Sequence, residues 1–216
     1  MVLEHIIERI ESRRKELQDS HAILEIIDYG AGKPEDKRTK EQMQEGVCVQ
    51  VPLAQMASIG VKPDKATQIA EIFAQIKPQR ILELGTCCGF SSSYMSLLAP
   101  SATIDTIEGA PSLADVARNN HSILGCANIT IHIGRFDVVL PNLLKSHAPF
   151  DFVFVDGHHD QQATLSYYTQ ILPFVRGGGA MCFDDIAWSE GMRTAWAEIA
   201  QKHKHTDYDR MGAIWL

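Results

Sequence analysis

The chain has 216 residues, 45% of them hydrophobic and 22% charged, with a formal net charge of −7 at pH 7. That length suits one α/β domain with a modest extra segment, and the acidic balance argues against a nucleic-acid partner, since phosphate binding needs a basic footprint. No run approaches the ~18 apolar residues of a membrane span, and the N-terminus carries acids early without a cleavage-site pattern, so a cytoplasmic protein with no membrane partner is expected.

Leu3, Ile6, Ile7, Ile10 and Leu17 fall near helical spacing with charges between them, which predicts an amphipathic helix over residues 2–17. A short apolar patch follows at Ala22–Ile27. Asp28-Tyr29-Gly30-Ala31-Gly32-Lys33-Pro34 and the charged stretch to Glu45 read as a loop, either a lid or a surface connection. Val47–Gly60 is mixed and reads as helical in part. Pro63 opens a helix with Ala66, Ile69, Ala70, Phe73 and Ile76 on one face. Residues 1–62 are therefore expected to form an N-terminal helical cap, and 63–216 the main domain.

From residue 81 the pattern alternates between strand and helix. Strands are predicted at Ile81–Leu84, Thr103–Ile107, Ile129–Ile133, Phe150–Val155 and Gly179–Phe183. Helices are predicted at Ser91–Leu98, Ser112–Asn120, Val138–Leu144, Gln161–Leu172 and Glu190–Lys202. A closing hairpin is expected around Arg210-Met211-Gly212. Such alternation implies a doubly wound, mostly parallel sheet with helices on both faces. Cys48, Cys87, Cys88, Cys126 and Cys182 form no C-x-x-C pair and no zinc spacing, and are expected to be free thiols.

In such sheets ligands bind beyond the carboxyl ends of the strands. Glu83, Glu108, Asp137, Asp156, Asp184 and Asp185 all fall in or just after a strand, which predicts one acidic rim around one site. Gly85-Thr86-Cys87-Cys88-Gly89 supplies a tight turn into the next helix but lacks the middle glycine of G-x-G-x-x-G, and there is no G-K-[ST]. A phosphate-free nucleoside cofactor fits better, and S-adenosylmethionine (SAM) is such a molecule. Glu108 would accept its ribose hydroxyls, the task of the acid at that place in dinucleotide folds. An NAD-type oxidoreductase is the weaker alternative.

Glu83-Leu84-Gly85-Thr86-Cys87-Cys88-Gly89-Phe90-Ser91-Ser92 resembles motif I of class I SAM-dependent methyltransferases, in the branch of catechol-type and bacterial O-methyltransferases. Ile107-Glu108, Phe152–His159 and Gly177–Asp185 resemble later motifs of that branch, so the likeness covers about residues 78–216. The resemblance implies a Rossmann-like sheet of about seven strands with the last one antiparallel. It also implies cofactor contacts from Glu83, Gly85, Thr86, Gly89, Ser91, Glu108, Gly109 and Asp156. The adenine contact of the family falls near Arg135, where Phe136 or Asp137 would have to supply it.

Three carboxylates in one place repel unless a cation or proton intervenes. Asp156, Asp184 and Asp185 are thus candidate ligands for Mg²⁺, Mn²⁺ or Ca²⁺, and the matching family positions bind a divalent metal. The alternative is structural: Asp184 capping a helix and Asp185 pairing with Arg or Lys. The family's last ligand is usually Asn and its catalytic Lys aligns with His159, so His159, with Asp156, is the candidate catalytic group here. Trp188 is either core packing or an aromatic wall for a flat substrate. The expected function is a SAM-dependent methyltransferase acting on an oxygen of a small molecule, with a homodimer as one compatible assembly. A SAM-binding module without catalysis is the other reading.

Overall fold

The computed structural model describes residues 2–30, 32 and 38–216. Its centre is a seven-stranded sheet formed by β3 (Arg80–Leu84), β4 (Thr103–Glu108), β5 (Ile129–Ile133), β6 (Phe150–Val155), β7 (Val175–Phe183), β8 (Lys204–Tyr208) and β9 (Met211–Trp215). The strand order is β5-β4-β3-β6-β7-β9-β8. β3 to β7 pair in parallel, and β9 runs antiparallel to both β7 and β8. The expected mostly parallel sheet with an antiparallel last strand is therefore present. The order reverses between β3 and β6, which sets the crevice at the carboxyl ends of these two strands and their neighbours.

The period of two along each strand divides the core between two faces. Ile81, Ile104, Phe152, Phe154, Ala180 and Cys182 point to one side, where they pack with Ile69 and Phe73 of α4 (Pro63–Ile76) and Tyr94 of α5 (Phe90–Leu98). Leu82, Leu84, Val153, Val155, Met181 and Phe183 point to the other. There they meet α7 (Phe136–His147), α8 (Gln161–Ile171) and α9 (Glu190–Ala200). All six residues of β6 are buried, as expected for the middle of a sheet covered on both faces. The helix α6 (Pro111–Leu124) follows β4.

The N-terminal segment begins with the expected helix, α1 (Val2–Gln18). Ile6, Ile10 and Leu17 join the same apolar cluster as Ile81 and Phe152. Arg14 pins it: the buried guanidinium donates to the carbonyls of Ala57, Ile59 and Val61 and lies 4.0 Å over the Phe90 ring. The cap is not wholly helical, however. Ile23–Asp28 forms β1 and pairs antiparallel with β2 (Val47–Pro52), and only Leu53–Ala57 (α3) of the Val47–Gly60 segment is helical. The alternation Val47-Cys48-Val49-Gln50-Val51 has a strand's period, which overrides the helical reading. Of the expected 28–46 loop, Ala31 and residues 33–37 lie outside the described residues. The remainder includes α2 (Lys40–Glu45), started by a capping box between Thr39 and Gln42.

Candidate active site

The glycine turn follows β3. Gly85 has φ +99°, and a Cβ there would stand 1.9 Å from the carbonyl oxygen of Asp156, so only glycine lets the β3 and β6 ends approach this closely. Gly89 has φ +78°, and its missing Cβ leaves room for His121 of α6. His121 accepts or donates at Ser92 Oγ, 3.0 Å away, and burial lowers its pKa to about 4, so it stays a neutral buttress beneath the turn. Thr86 is buried and bonded to Thr106 through their hydroxyls at 2.6 Å, which fixes the turn's floor. Cys87 and Cys88 line the turn. The hydrogen bond with the Cys88 thiol, and then burial, push the Cys87 pKa well up, so Cys87 is not poised as a thiolate.

Glu83 is fully buried one residue before the end of β3. Its Oε2 accepts from the Thr106 hydroxyl at 2.5 Å, while Oε1 is buried without a partner. Burial raises its pKa to about 7, against the hydroxyls of Ser91, Thr106 and Ser92, which lower it. An unpaired carboxylate oxygen inside a protein is costly unless a donor or cation arrives. Glu108 ends β4, and its two oxygens accept backbone N–H bonds from Cys87 (2.8 Å) and Ala110 (2.9 Å). That clamp holds one carboxylate edge in the crevice beside the turn.

Tyr29 of the cap lies against Gly109, where an added Cβ would fall 2.7 Å from the ring. Beside it, Tyr29, Glu41, Gln44, Glu45 and Arg135 line a cavity of about 460 Å³. Arg135 donates to the Gln44 carbonyl at 2.7 Å, so α2 is tied to the rim. Asp137 is turned outward and paired with Arg135, whose guanidinium holds its pKa below the usual carboxylate range. Phe136 packs inward: its ring meets the place a Gly157 Cβ would occupy, at 2.6 Å, and stands edge-on to His158 and Tyr167. Of the two adenine-side candidates, Phe136 therefore faces the site's wall and Asp137 does not.

At the far side of the crevice, Asp156 follows β6, and Asp184 and Asp185 follow the end of β7. Lys65, in the first turn of α4, lies on Asp184 and 3.6 Å from Asp185. Arg210, in the β8–β9 turn, pairs with Asp185 at 2.6 Å. The expected pairing of Asp185 with a basic residue is thus observed. Asp184 does not cap a helix: its Oδ1 accepts from the Asp185 N–H at 2.8 Å, and the cap of α9 is Ser189. Burial and the two neighbouring carboxylates push the Asp156 pKa well up. His159 Nε2 lies 3.8 Å from Asp156 Oδ1.

The two adjacent histidines separate in role. His158 is fixed by Tyr167, whose hydroxyl is 2.5 Å from Nδ1, and stacks on that ring; burial lowers its pKa. His159 lies between Asp156 and Asp185, 3.9 Å from the latter, with Nδ1 buried and unpartnered. Its ring centroid is 5.9 Å from that of Trp188, which is 42% exposed and so lies at the surface rather than in the core. His158 and His159 both have positive φ, as does Asp185, so the loops that carry this cluster adopt backbone conformations disfavoured for non-glycine residues.

Sequence reasoning missed Lys65, Arg210, Tyr29 and His121. Lys65 lay on a predicted helix as an ordinary polar position and His121 just past the end of another, and no spacing rule joins them to residues tens of positions away.

A methyltransferase domain family matches residues 82–186, the span from β3 through Asp184 and Asp185. The catechol O-methyltransferase of Sus scrofa is 30% identical over 127 residues, covering 56% of this chain and 68% of that protein. The chain belongs to the SAM-dependent methyltransferases. The catechol O-methyltransferase of Niastella koreensis is 31% identical over 137 residues, covering 62% of this chain and 61% of that protein. The match spans about three fifths of the length of the first curated relatives. Among solved structures, the O-methyltransferase TomG from Streptomyces achromogenes in complex with SAM superposes with a TM-score of 0.61 at 25% identity, over 72% of this methyltransferase and 81% of TomG. No helix among the described residues is long and apolar enough to cross a membrane.

Proposed function

We propose that this methyltransferase transfers the methyl group of SAM to an oxygen of a small molecule. The observation that carries the reading is Glu83: a fully buried carboxylate with an unpaired oxygen, beside a glycine turn, one strand from a clamped Glu108. SAM fits this arrangement. Its ammonium supplies the cation that Glu83 Oε1 lacks, and its ribose diol supplies donors for Glu108. The bound cofactor contributes an electrophilic methyl on a sulfonium. Gly85 and Gly89 shape the turn, Thr86 and Ser91 support it, Gly109 and Phe136 border the nucleoside side, and Asp156 closes the methionine side. Residues 63–216 carry this site, and Tyr29 of the preceding segment stands against Gly109.

His159 serves as the general base. It removes the acceptor's hydroxyl proton, and the imidazolium so formed lies between Asp156 and Asp185, whose charges stabilise it. Trp188 and the cap exclude water and orient a flat acceptor, and holding the reacting centres at near-attack distance supplies much of the rate. Asp156, Asp184 and Asp185 offer only oxygen donors, as a hard divalent cation requires. Lys65 and Arg210 offset the charges of Asp184 and Asp185, which leaves Asp156 as the carboxylate without a full cationic partner. Asp156 would hold Mg²⁺, Mn²⁺ or Ca²⁺, joined by Asp184 and Asp185 where the ion displaces Lys65 and Arg210, and the ion would act there as a Lewis acid that lowers the pKa of the acceptor oxygen.

The test is methyl transfer from SAM to a panel of small hydroxylated aromatics, assayed with Mg²⁺ and with EDTA. A methylated product formed one-for-one with S-adenosylhomocysteine is expected, and its loss in EDTA would support the cation. Tight binding of S-adenosylhomocysteine with no product from any acceptor would instead make the chain a cofactor-binding module.

A further inference from the structure

Asp105, His132 and His147 form a second cluster, about 10 Å back along β4 from Glu108 and outside the cofactor rim. Asp105 is buried in the middle of β4. Its register partner on β5 is Thr130, so His132, two residues on, projects from the same face of the sheet. α7 packs on that face and His147 is its last residue. His132 Nε2 lies 2.7 Å from Asp105 Oδ1, and His147 Nδ1 lies 2.8 Å from Asp105 Oδ2. The ligand-type atoms of all three lie within 4.8 Å of one another, and among the described residues no other such group of three or more occurs.

We propose that Asp105, His132 and His147 bind Zn²⁺. Two imidazole nitrogens and one carboxylate oxygen are a zinc donor set, and a tetrahedral ion with three protein ligands keeps its fourth position for water. Zinc bonds of about 2.0–2.2 Å place ligand atoms about 3.3–3.5 Å apart, so a nitrogen–oxygen contact opens by about 0.5–0.8 Å while the other ligand atoms, all within 4.8 Å, draw closer. The side chains of His132 and His147 are 25% and 41% exposed, which gives the ion an entry path and a water. The carbonyls at the C-terminal end of α7 also favour a cation near His147. The metal takes the lone pair of each facing nitrogen, and each neutral imidazole then carries its single N–H proton on the other ring nitrogen. The site differs in chemistry from the Asp156 rim, since imidazole selects zinc over magnesium. Its consequence is a tie between β4, β5 and α7 that exists only in the folded chain and so stabilises it.

The experiment uses the untagged full chain stripped with chelator and titrated with ZnCl₂ against a chromophoric zinc indicator, with thermal unfolding recorded in parallel. One zinc per chain and a rise in Tm are expected. Cobalt in place of zinc should give the intense visible bands of a tetrahedral ion. His132→Gln and His147→Gln should each weaken zinc binding at least about tenfold and abolish the Tm rise; His147 is half-exposed at a helix end, so its variant is expected to fold. Cys48→Ser, which removes the exposed thiol, and Asp156→Asn should leave zinc binding unchanged. Zinc uptake that survives both histidine variants, that disappears in Cys48→Ser, or that is absent from natively folded protein overturns the proposal.

Discussion

Lys65 and Asp184 form a buried ion pair across 119 positions of sequence, joining the first turn of α4 to the end of β7. Their side chains are only 10% and 2% exposed, so neither charge can turn to water if the other is removed. Removing one partner of a buried pair costs about 3–5 kcal/mol, because the remaining charge is left uncompensated. Arg210 does not substitute, since it is committed to Asp185. Lys65→Met is therefore expected to lower unfolding free energy by about that amount in urea titrations. Lys65→Met with Asp184→Asn should recover much of the loss. Equal stability of the single variant and the wild type would show that the pair contributes nothing net.

What the sequence disclosed, and what it did not, follows from the range of each interaction. Glu83, Gly85, Gly89 and Glu108 were readable because each sits at a fixed offset from a strand, and β3 and β4 lie side by side in chain order. The alternation that built the sheet is equally local. The charge balance of the carboxylate rim was hidden, because its cations come from an N-terminal helix and a C-terminal turn. The Asp105 cluster was hidden for the same reason: it needs the β4–β5 register and the packing of α7, neither of which has a sequence period. The cap misled in one place, where short apolar stretches at Ala22–Ile27 and Val47–Val51 fit either period until their mutual pairing decides for strand.

Glu83 makes the stability of the cofactor-free protein depend on pH. Its carboxyl titrates near 4.5 in the unfolded chain and about 7 in the folded one. The folded state therefore holds the proton more tightly. The stabilisation is fully present below about pH 4.5 and is lost as pH rises through about 7, by roughly 3 kcal/mol from a shift of this size. Glu83→Gln, which keeps a neutral group of the same shape, should flatten this part of the stability profile and be the more stable protein at pH 8 without cofactor. The same variant should bind SAM more weakly, since the ammonium loses its anion. Urea midpoints from pH 5 to 8 provide the check; parallel profiles for the two proteins would show that Glu83 is not the titrating group.

Glu108 is held by the Cys87 and Ala110 amides with its carboxylate edge in the crevice, so its loss should act on binding rather than on fold. A hydrogen bond to a charged group contributes about 1.5–3 kcal/mol. Glu108→Ala is expected to weaken S-adenosylhomocysteine binding by about 10- to 150-fold in calorimetry, with NAD binding undetectable in both proteins. Unchanged affinity would place the ribose elsewhere.

His159 and its neighbour His158 offer an internal control for the proposed base. Both side chains are imidazoles on one loop, yet His158 is engaged by Tyr167 and Phe136 while His159 faces Asp156 and Asp185. A base must be unprotonated to act, so activity should rise with pH and then level off. His159→Ala should lower kcat by about 10²–10⁴-fold, the usual contribution of general base catalysis, and remove that rising limb, while affinity for S-adenosylhomocysteine stays near the wild-type value. The His158→Phe variant should keep the rising limb, because its ring packs rather than titrates in the reaction. The measurement is kcat and kcat/KM from pH 5.5 to 9 for all three proteins with an acceptor found in the methyl-transfer panel. A limb that persists in His159→Ala and vanishes in His158→Phe would assign the base to the wrong histidine; a limb present in all three would move proton removal to the acceptor itself, acidified by a cation at Asp156.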